Sequence, residues 1–217
     1  NIEFDHADIF ANLEAIETQF HHLVRTIPSD GLIVHPSLQQ KTETSIKRVM
    51  DRGCWSHCET MSLVDDLNPN EQDGQTQHYW QAQVIESQWG KKEGSRFNIL
   101  LQGKVVATVN WNLIGLHNVA NAMAAIAAAR HVGIPVKYAI EALADFKNVK
   151  RRMELKGEIN QIRVYDDFAH HPTAIKMTID GLRKQVGNER IIAIIEPRSN
   201  TMKMQIYKQE LADAFNQ

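Results

Sequence analysis

The chain has 217 residues, of which 43% are hydrophobic and 23% charged, the ordinary balance of a globular protein with a buried core. Its 24 Lys and Arg against 26 Asp and Glu give a net charge of −2, so no basic excess favours nucleic acid as a partner. No apolar run approaches the roughly 18 residues of a membrane span and no leader is visible, so we expect a cytoplasmic protein. Two cysteines, Cys54 and Cys58, do not make a disulfide framework, which fits a reducing compartment.

Hydrophobic spacing predicts helix and then strand in the first half of the chain. In chain order we predict a helix over 8–27, a strand over 32–34, a helix over 42–52, a polar loop over 68–78 and strands over 79–86, 96–103 and 104–111. Gly103-Lys104 is the predicted hairpin turn between the last two strands.

The second half begins with two predicted helices, over 117–132 and 135–146, which Gly133 separates. A basic stretch follows, and we place a domain boundary near residue 147. Beyond it the pattern predicts a strand over 162–165, a helix over 173–185, a strand over 190–195 and a helix from about residue 203. Such alternation predicts a parallel sheet with helical crossovers, so the fold class is α/β with domains over 1–147 and 148–217.

Two short strings precede predicted helices. In Asp5-His6-Ala7-Asp8, His6 offers an imidazole and Asp8 could cap the helix that follows. Taken alone, a helix cap with an incidental histidine is the commoner explanation. In the string 115–121, Asn118 and Asn121 lie three residues apart, so both amides share a helix face and match the donor–acceptor edge of adenine. A helix cap with a locally bonded asparagine explains that string equally well.

Cations and strand-end side chains form the other candidate sites. Arg151 and Arg152 end a basic stretch that could bind phosphate, although charge runs are more often solvated surface. Asp167 and His170 follow a predicted strand, where open parallel sheets bind ligands, and could meet ribose hydroxyls and phosphate. Arg198, in a polar string after the next predicted strand, could bind a carboxylate.

The sequence provides no support for a structural metal or for a P-loop. The string 54–58, with its two cysteines and a histidine, lacks zinc-site spacing and a second ligand pair, which disfavours a structural metal. No G-x-x-x-x-G-K-[ST] loop occurs, so the chain has no P-loop of its own. The chain starts with Asn1 inside a motif and ends at Gln217 inside a predicted helix, and we expect a segment of a longer protein.

The strings NIEFDHADIF, GLHNVANAMAAIAAARHVG, FKNVKRRMEL, VYDDFAHHPTAI and EPRSNTMK, in this order, resemble the Mur ligase superfamily, the ATP-dependent enzymes that assemble the peptidoglycan stem peptide. The resemblance spans nearly the whole chain. It implies the later part of a central ATPase domain with antiparallel strands over 1–147. The first part of a Rossmann-like carboxy-terminal domain would follow over 148–217. The P-loop and a UDP-sugar domain would lie upstream.

The resemblance also implies roles for individual residues, with ATP and Mg²⁺ as cofactors. His6 is similar to a magnesium ligand, Asn118 and Asn121 to adenine ligands, and Arg152, with Arg151 beside it, to a phosphate-binding arginine. Asp167 is similar to a ribose ligand and His170 to its phosphate-side neighbour. Arg198, Ser199 and Asn200 are similar to a peptide-binding string, although Glu196 stands where the diaminopimelate-adding relative carries Asn. The first lysine, Lys41, lies beyond the first helix, so a carbamylated lysine there is not expected.

Within the family the strings look most like the branch that joins UDP-N-acetylmuramate to the tripeptide L-alanyl-γ-D-glutamyl-meso-diaminopimelate through an acyl phosphate, in peptidoglycan recycling. One alternative is a UDP-N-acetylmuramate–L-alanine ligase. An alternative of another class is a non-catalytic nucleotide-binding module. Because the P-loop is absent, we expect the isolated segment to be inactive.

Overall fold

The computed structural model describes residues 2–37, 44–64, 79–87, 90–204 and 206–216. Its elements, in chain order, are α1 (Leu13–Thr26), β1 (Leu32–Pro36), α2 (Thr44–Asp51), β2 (His57–Val64), β3 (Trp80–Val84), β4 (Arg96–Leu101), β5 (Lys104–Asn110), α3 (Leu116–His131), α4 (Val136–Ala144), β6 (Glu154–Ile159), β7 (Ile162–Asp166), α5 (Pro172–Val186), α6 (Asn200–Lys203) and α7 (Lys208–Asp213). The predicted loop over 68–78 and the first residues of the helix predicted over 42–52 lie outside the described residues. Within the described part, no helix has the length and apolarity to cross a membrane.

A five-stranded mixed sheet organises residues 2–147, which we call the amino-terminal region. The strand order is β1-β2-β3-β4-β5, with parallel pairing from β1 to β3 and antiparallel pairing from β3 to β5. The hairpin between β4 and β5 turns at Gln102 and Gly103, both with positive φ (50° and 77°), one residue earlier than predicted. The antiparallel strands were therefore predicted well, and the α/β class is confirmed.

Strand β2 was not predicted. Each of its faces holds a buried polar residue, because Glu59 and Ser62, three positions apart, point to opposite sides of the strand and are both buried. This breaks the apolar alternation by which a half-buried strand is recognised. Glu59 keeps its place in the interior because Trp80 Nε1 donates a hydrogen bond of 2.6 Å to its Oε2 atom.

The core lies between the sheet and α3. Trp80, Phe97 and Ile99 from the strands meet Val119 and Ile126 from the helix, and all five are fully buried. The small alanines of α3 allow the helix to approach the sheet closely, which explains its unusual composition. The helix predicted over 117–132 is thus confirmed to within a residue at each end.

Helix α1 begins later than predicted. Asn12 is its N-cap, with its side chain accepting a 2.9 Å hydrogen bond from the Ala15 amide. The expectation that Asp8 caps a helix over 8–27 was wrong, because residues 7–9 form a turn and the exposed Ile9 contributes nothing to an apolar face. On the buried side of α1, hydrogen bonds from Arg48 lower the pKa of the Glu17 carboxyl, although burial opposes the shift.

Residues 148–216, which we call the carboxy-terminal region, differ from the expected parallel sheet. Strand β7 pairs antiparallel with β6, which was not predicted, through a turn at Asn160 and Gln161. The strand predicted over 190–195 was wrong: that stretch has no strand structure, and Ile194 is 94% exposed. Apolar alternation predicts a strand only where a neighbour supplies the hydrogen-bond ladder, and no described strand lies beside it.

Candidate functional site

The two regions meet around a cavity of about 530 Å³, within the usual size range of small-molecule sites. One wall is the amino-terminal half of α3, and the facing wall is the stretch after α4 together with the start of α5. Four predicted site residues from three separate strings line it: Asn118, Asn121, Arg152 and Asp167. The remaining lining is mostly apolar and includes Leu143, Phe146 and Met177.

The α3 wall starts at Gly115, which is the N-cap residue with φ 92° and offers no side-chain cap. Asn118 donates from Nδ2 to the Ile114 carbonyl at 2.8 Å, so its amide plane is held by the backbone. Its carbonyl oxygen faces no described donor. Asn121, one turn further, is exposed where it lines the cavity. An amide fixed beside an exposed amide can read a planar donor–acceptor edge.

His117 also lines the cavity and was missed as a site residue. Its Nδ1 atom is among the few buried side-chain polar atoms of the described residues with no hydrogen-bond partner. Burial lowers the pKa of this imidazole, with Asp167 opposing the shift and Arg152 adding to it. A neutral ring at the cavity wall therefore has an unsatisfied nitrogen. The only feature of the sequence that could have indicated a role for His117 in the site is its position next to Asn118.

Asp167 is fixed on the facing wall by backbone amides. Its Oδ2 atom accepts from the Met153 amide at 2.8 Å and its Oδ1 atom from the Ala169 amide at 2.7 Å. An ionised carboxylate retains further acceptor positions after two such bonds. The site thus has a rigid anionic acceptor suited to hydroxyl groups.

The two arginines point different ways around the Phe168 ring. Their guanidinium carbons lie 5.1 Å (Arg151) and 5.7 Å (Arg152) from its centroid. Arg152 lines the cavity, whereas Arg151 pairs with Asp166 at 3.5 Å. The structure therefore brings Arg152, and not Arg151, to the predicted nucleotide ligands.

The width of the cavity depends on a close approach of α5 to α3. A Cβ atom built at Gly181 would lie 3.1 Å from the Gly115 Cα atom, tighter than almost all real contacts. A side chain at position 181 would require the backbone at Gly115 to move by a few tenths of an ångström. The missing Cβ atom at Gly181 therefore contributes to the close approach of the two walls.

His6 lies outside the lining of this cavity, beside Asp5 and His170. The Asp5 Oδ2 atom is 3.9 Å from His6 Nε2 and 3.8 Å from His170 Nε2, beyond hydrogen-bond distance from either. Partial burial opposes ionisation of Asp5, but hydrogen bonds from Thr201 and the His6 amide outweigh it and lower the pKa of this carboxyl. His170 is held by the Phe168 carbonyl at 3.0 Å and faces Asp5 instead of the cavity.

The side chains around His6 suit a metal ion that takes only one or two ligands from the protein and the rest from water or phosphate oxygens. No group of three or more His, Cys, Asp or Glu able to hold a metal occurs among the residues described. Magnesium is commonly bound by one or two protein ligands, with phosphate oxygens and water completing the octahedron. The exposed His6 ring and Asp5 Oδ2 could supply those ligands.

The predicted peptide-binding string follows at 198–200. Arg198 is 80% exposed in its side chain and lies 3.5 Å from Glu196. Ser199 caps α6 by accepting from the Met202 amide, and Asn200 donates to Asp8 Oδ2 at 2.7 Å. Arg198 extends into solvent, whereas the Ser199 and Asn200 side chains form hydrogen bonds within the protein.

The cysteine string carries no site. The Cys54 and Cys58 sulfurs lie 3.6 Å apart as free thiols, and burial, with the neighbouring Cys54, raises the pKa of Cys58 to about 11. A thiol so hard to ionise is a poor metal ligand.

Comparison with known proteins gives two family matches. Residues 1–129 match the Mur ligase middle domain, and residues 151–215 match the Mur ligase glutamate ligase domain.

Individual relatives agree with these matches. The chain is 48% identical over 216 residues to the UDP-N-acetylmuramate–L-alanyl-γ-D-glutamyl-meso-2,6-diaminoheptandioate ligase of Escherichia coli (strain K12), covering 99% of this chain and 42% of that protein. It is 30% identical over 201 residues to the UDP-N-acetylmuramate–L-alanine ligase of Caldanaerobacter subterraneus subsp. tengcongensis, covering 92% and 39%. A crystal structure of a murein peptide ligase from Psychrobacter arcticus 273-4 matches with a TM-score of 0.62 and 45% identity, over 94% of this chain and 39% of that one. The chain thus spans about two fifths of the length of these relatives.

Proposed function

The chain belongs to the Mur ligase family, and we propose that it is part of a cytoplasmic, ATP- and Mg²⁺-dependent ligase that joins UDP-N-acetylmuramate to L-alanyl-γ-D-glutamyl-meso-diaminopimelate. The similarity to the Escherichia coli ligase of that name supports this substrate pair. The domain boundary near residue 147 and the individual site roles belong to the same proposal. In this proposal the P-loop and UDP-sugar domain are supplied by chain outside these 217 residues.

One observation carries the proposal: four predicted site residues from three separate strings surround one cavity. Asn118 and Asn121 would bind the adenine edge, and Asp167, on the facing wall, would accept hydrogen bonds from the ribose. Arg152 would reach the phosphates from the junction between the regions. A nucleotide held by both walls would fix their relative position, so binding and closure would be coupled.

The proposed reaction needs charge neutralisation and positioning more than acid–base chemistry. The muramate carboxylate attacks the γ-phosphorus of ATP, the bond to ADP breaks, and an acyl phosphate forms. The peptide amine then attacks the acyl carbon, loses a proton, and inorganic phosphate leaves. Mg²⁺, when bound, would offset the charge on the phosphate oxygens. The role of this chain is to orient the nucleotide and, through Arg198, to bind a carboxylate of the peptide.

A UDP-N-acetylmuramate–L-alanine ligase is the second candidate, favoured by the 30% identity to a ligase of that name. Free alanine has a single carboxylate, whereas the tripeptide offers several to a solvent-exposed arginine. The higher identity to the tripeptide ligase favours the first candidate.

The deciding experiment compares both acceptors in the complete protein. Product mass and phosphate release are measured with ATP, Mg²⁺ and UDP-N-acetylmuramate, adding either tripeptide or L-alanine. We expect efficient ligation of the tripeptide and little of alanine. Preference for alanine would select the second candidate, and tight nucleotide binding without ligation of either would indicate a non-catalytic module.

The nucleotide site is tested by Asn121→Ala. Loss of an exposed, bidentate base contact should weaken ATP binding by about 1–3 kcal/mol, measured by calorimetric titration of the complete protein. Asn188→Ala, at an exposed position remote from the cavity lining, is the matched control and should bind normally. Equal affinities for the two variants would remove Asn121 from the site.

A further inference from the structure

The short segment 3–8, which carries His6, is held mainly by the carboxy-terminal region. Glu3 accepts from Thr173 Oγ1 at 2.9 Å and lies 3.2 Å from His171 Nδ1. The Phe4 carbonyl accepts from the Tyr207 hydroxyl. Residues some 170 to 203 positions further along the chain thus contact this segment of six residues.

Thr201 makes the contacts nearest to His6. It is 2% exposed, and its Oγ1 atom donates to Asp5 Oδ1 at 2.7 Å while accepting from the Ala7 amide at 3.3 Å. One hydroxyl therefore binds the residues on both sides of His6. The same Asp5 oxygen accepts from the His6 amide at 2.8 Å, which closes a small ring of hydrogen bonds around the His6 backbone.

The backbone enclosed by this ring is strained. His6 has φ 54°, in the left-handed region, which costs a residue with a Cβ atom about 1 kcal/mol or more. Such a conformation persists only where the surroundings hold it in place. Thr201 and Asp5 hold the amide side of this turn, and the Ile9 and Phe10 amides hold its carbonyl side by donating to the His6 oxygen at 2.8 and 2.9 Å.

We propose that Thr201 is a positioning residue, which fixes the turn that presents the His6 imidazole only when the carboxy-terminal region is docked. The inference rests on the proposed function for the assignment of His6 as a magnesium ligand. It adds that this ligand is set by a residue of the other region.

The same string connects this turn to the proposed peptide site. Asn200 donates to Asp8 Oδ2, and Arg198 lies two residues before it, at the start of the short helix that Ser199 caps. A shift of Arg198 on binding a carboxylate would be transmitted through one helical turn to both ends of the His6 turn.

The conformational part is tested by hydrogen exchange in the complete protein. Thr201→Val removes the hydroxyl with little change of shape and should speed exchange in a peptide spanning residues 2–11 by about tenfold, the equivalent of one lost hydrogen bond. Thr201→Ser keeps the hydroxyl and should exchange like the parent. Thr173→Val is the matched control, since it breaks a similar contact between the regions at Glu3, and it should leave the His6 and Ala7 amides protected.

The functional part is tested by the magnesium dependence of the same variants. At saturating ATP, Thr201→Val should raise the free Mg²⁺ needed for half-maximal rate several-fold and lower kcat, with the KM for ATP within about twofold. Thr201→Ser should restore both values, and Thr173→Val should change neither.

The outcomes separate the two proposals. Unchanged exchange at residues 2–11 in Thr201→Val would overturn the positioning role. Faster exchange with a normal magnesium dependence would overturn the coupling to the metal ligand. An unmodified protein that protects these amides but ligates neither acceptor would refute the proposed function alone.

Discussion

The two regions are stabilised in different ways. In the amino-terminal region, Trp80 of β3, Phe97 and Ile99 of β4, and Val119 and Ile126 of α3 are fully buried in one core. In the carboxy-terminal region, Ile159 and Ile162 of the β6–β7 hairpin are 73% and 67% exposed. The first region therefore has hydrophobic stability of its own, whereas the second is positioned by polar contacts to segment 3–8 and by the approach of α5 to α3. Substitutions in the two regions should have correspondingly different effects.

The largest expected effect is in the core of the amino-terminal region. Phe97→Ala removes a fully buried ring between the sheet and α3 and should lower the free energy of unfolding by about 3–5 kcal/mol. Chemical denaturation of the chain, followed by tryptophan fluorescence, measures it. A loss below about 1 kcal/mol would mean that this core is not what stabilises the region.

A smaller, pH-dependent effect on the free energy of unfolding is expected at His117, which lines the cavity between the two regions. Because burial lowers the pKa of His117, the unfolded chain takes up a proton at a higher pH than the folded one. The stability from keeping this ring neutral is complete above the unfolded pKa of about 6.5 and is lost as pH falls through the folded value. His117→Gln should thus flatten the fall in unfolding free energy between pH 8 and pH 5, while the exposed control His22→Gln should not.

The smallest effect is expected in the carboxy-terminal region. Ile194→Ala changes a side chain that is 94% exposed and should alter the free energy of unfolding of this chain by less than about 0.5 kcal/mol. The same denaturation curves provide the measurement. A loss approaching that of Phe97→Ala would show that residue 194 is buried in solution and would remove the contrast between the regions.

Sequence patterns predicted the fold where burial is one-sided and contacts are local. Strands β4 and β5 are apolar segments on either side of a glycine turn, and α3 has both a long apolar pattern and a glycine at its start. Strand β2 was not predicted because one of its faces holds the buried Glu59, whose hydrogen-bond partners Trp80 and Arg130 lie 21 and 71 positions away. The stretch 190–195 has the composition of a strand but has no described neighbour to pair with. Which strands pair is decided by the tertiary structure, and the alternation of apolar and polar residues in the sequence does not reveal it.

The candidate site likewise has residues that could be predicted from the sequence and contacts that could not. The family resemblance predicted that Asn118, Asn121, Arg152 and Asp167 bind one ligand, and these residues do line one cavity, although their roles stay predictions. The orientation of Arg151 toward Asp166 depends on a left-handed turn at that residue, which no spacing rule predicts. The link from Thr201 to the His6 turn spans 196 positions and has no local signature.

The contact between Gly181 and Gly115 has a consequence for how this site can change. Neither residue lines the cavity, yet the missing methyl group at 181 lets its walls stand as close as they do. An added methyl group there would displace the Gly115 backbone by a few tenths of an ångström without altering any side chain that lines the cavity. The spacing of the cavity walls is therefore adjustable by a substitution at a position outside the lining.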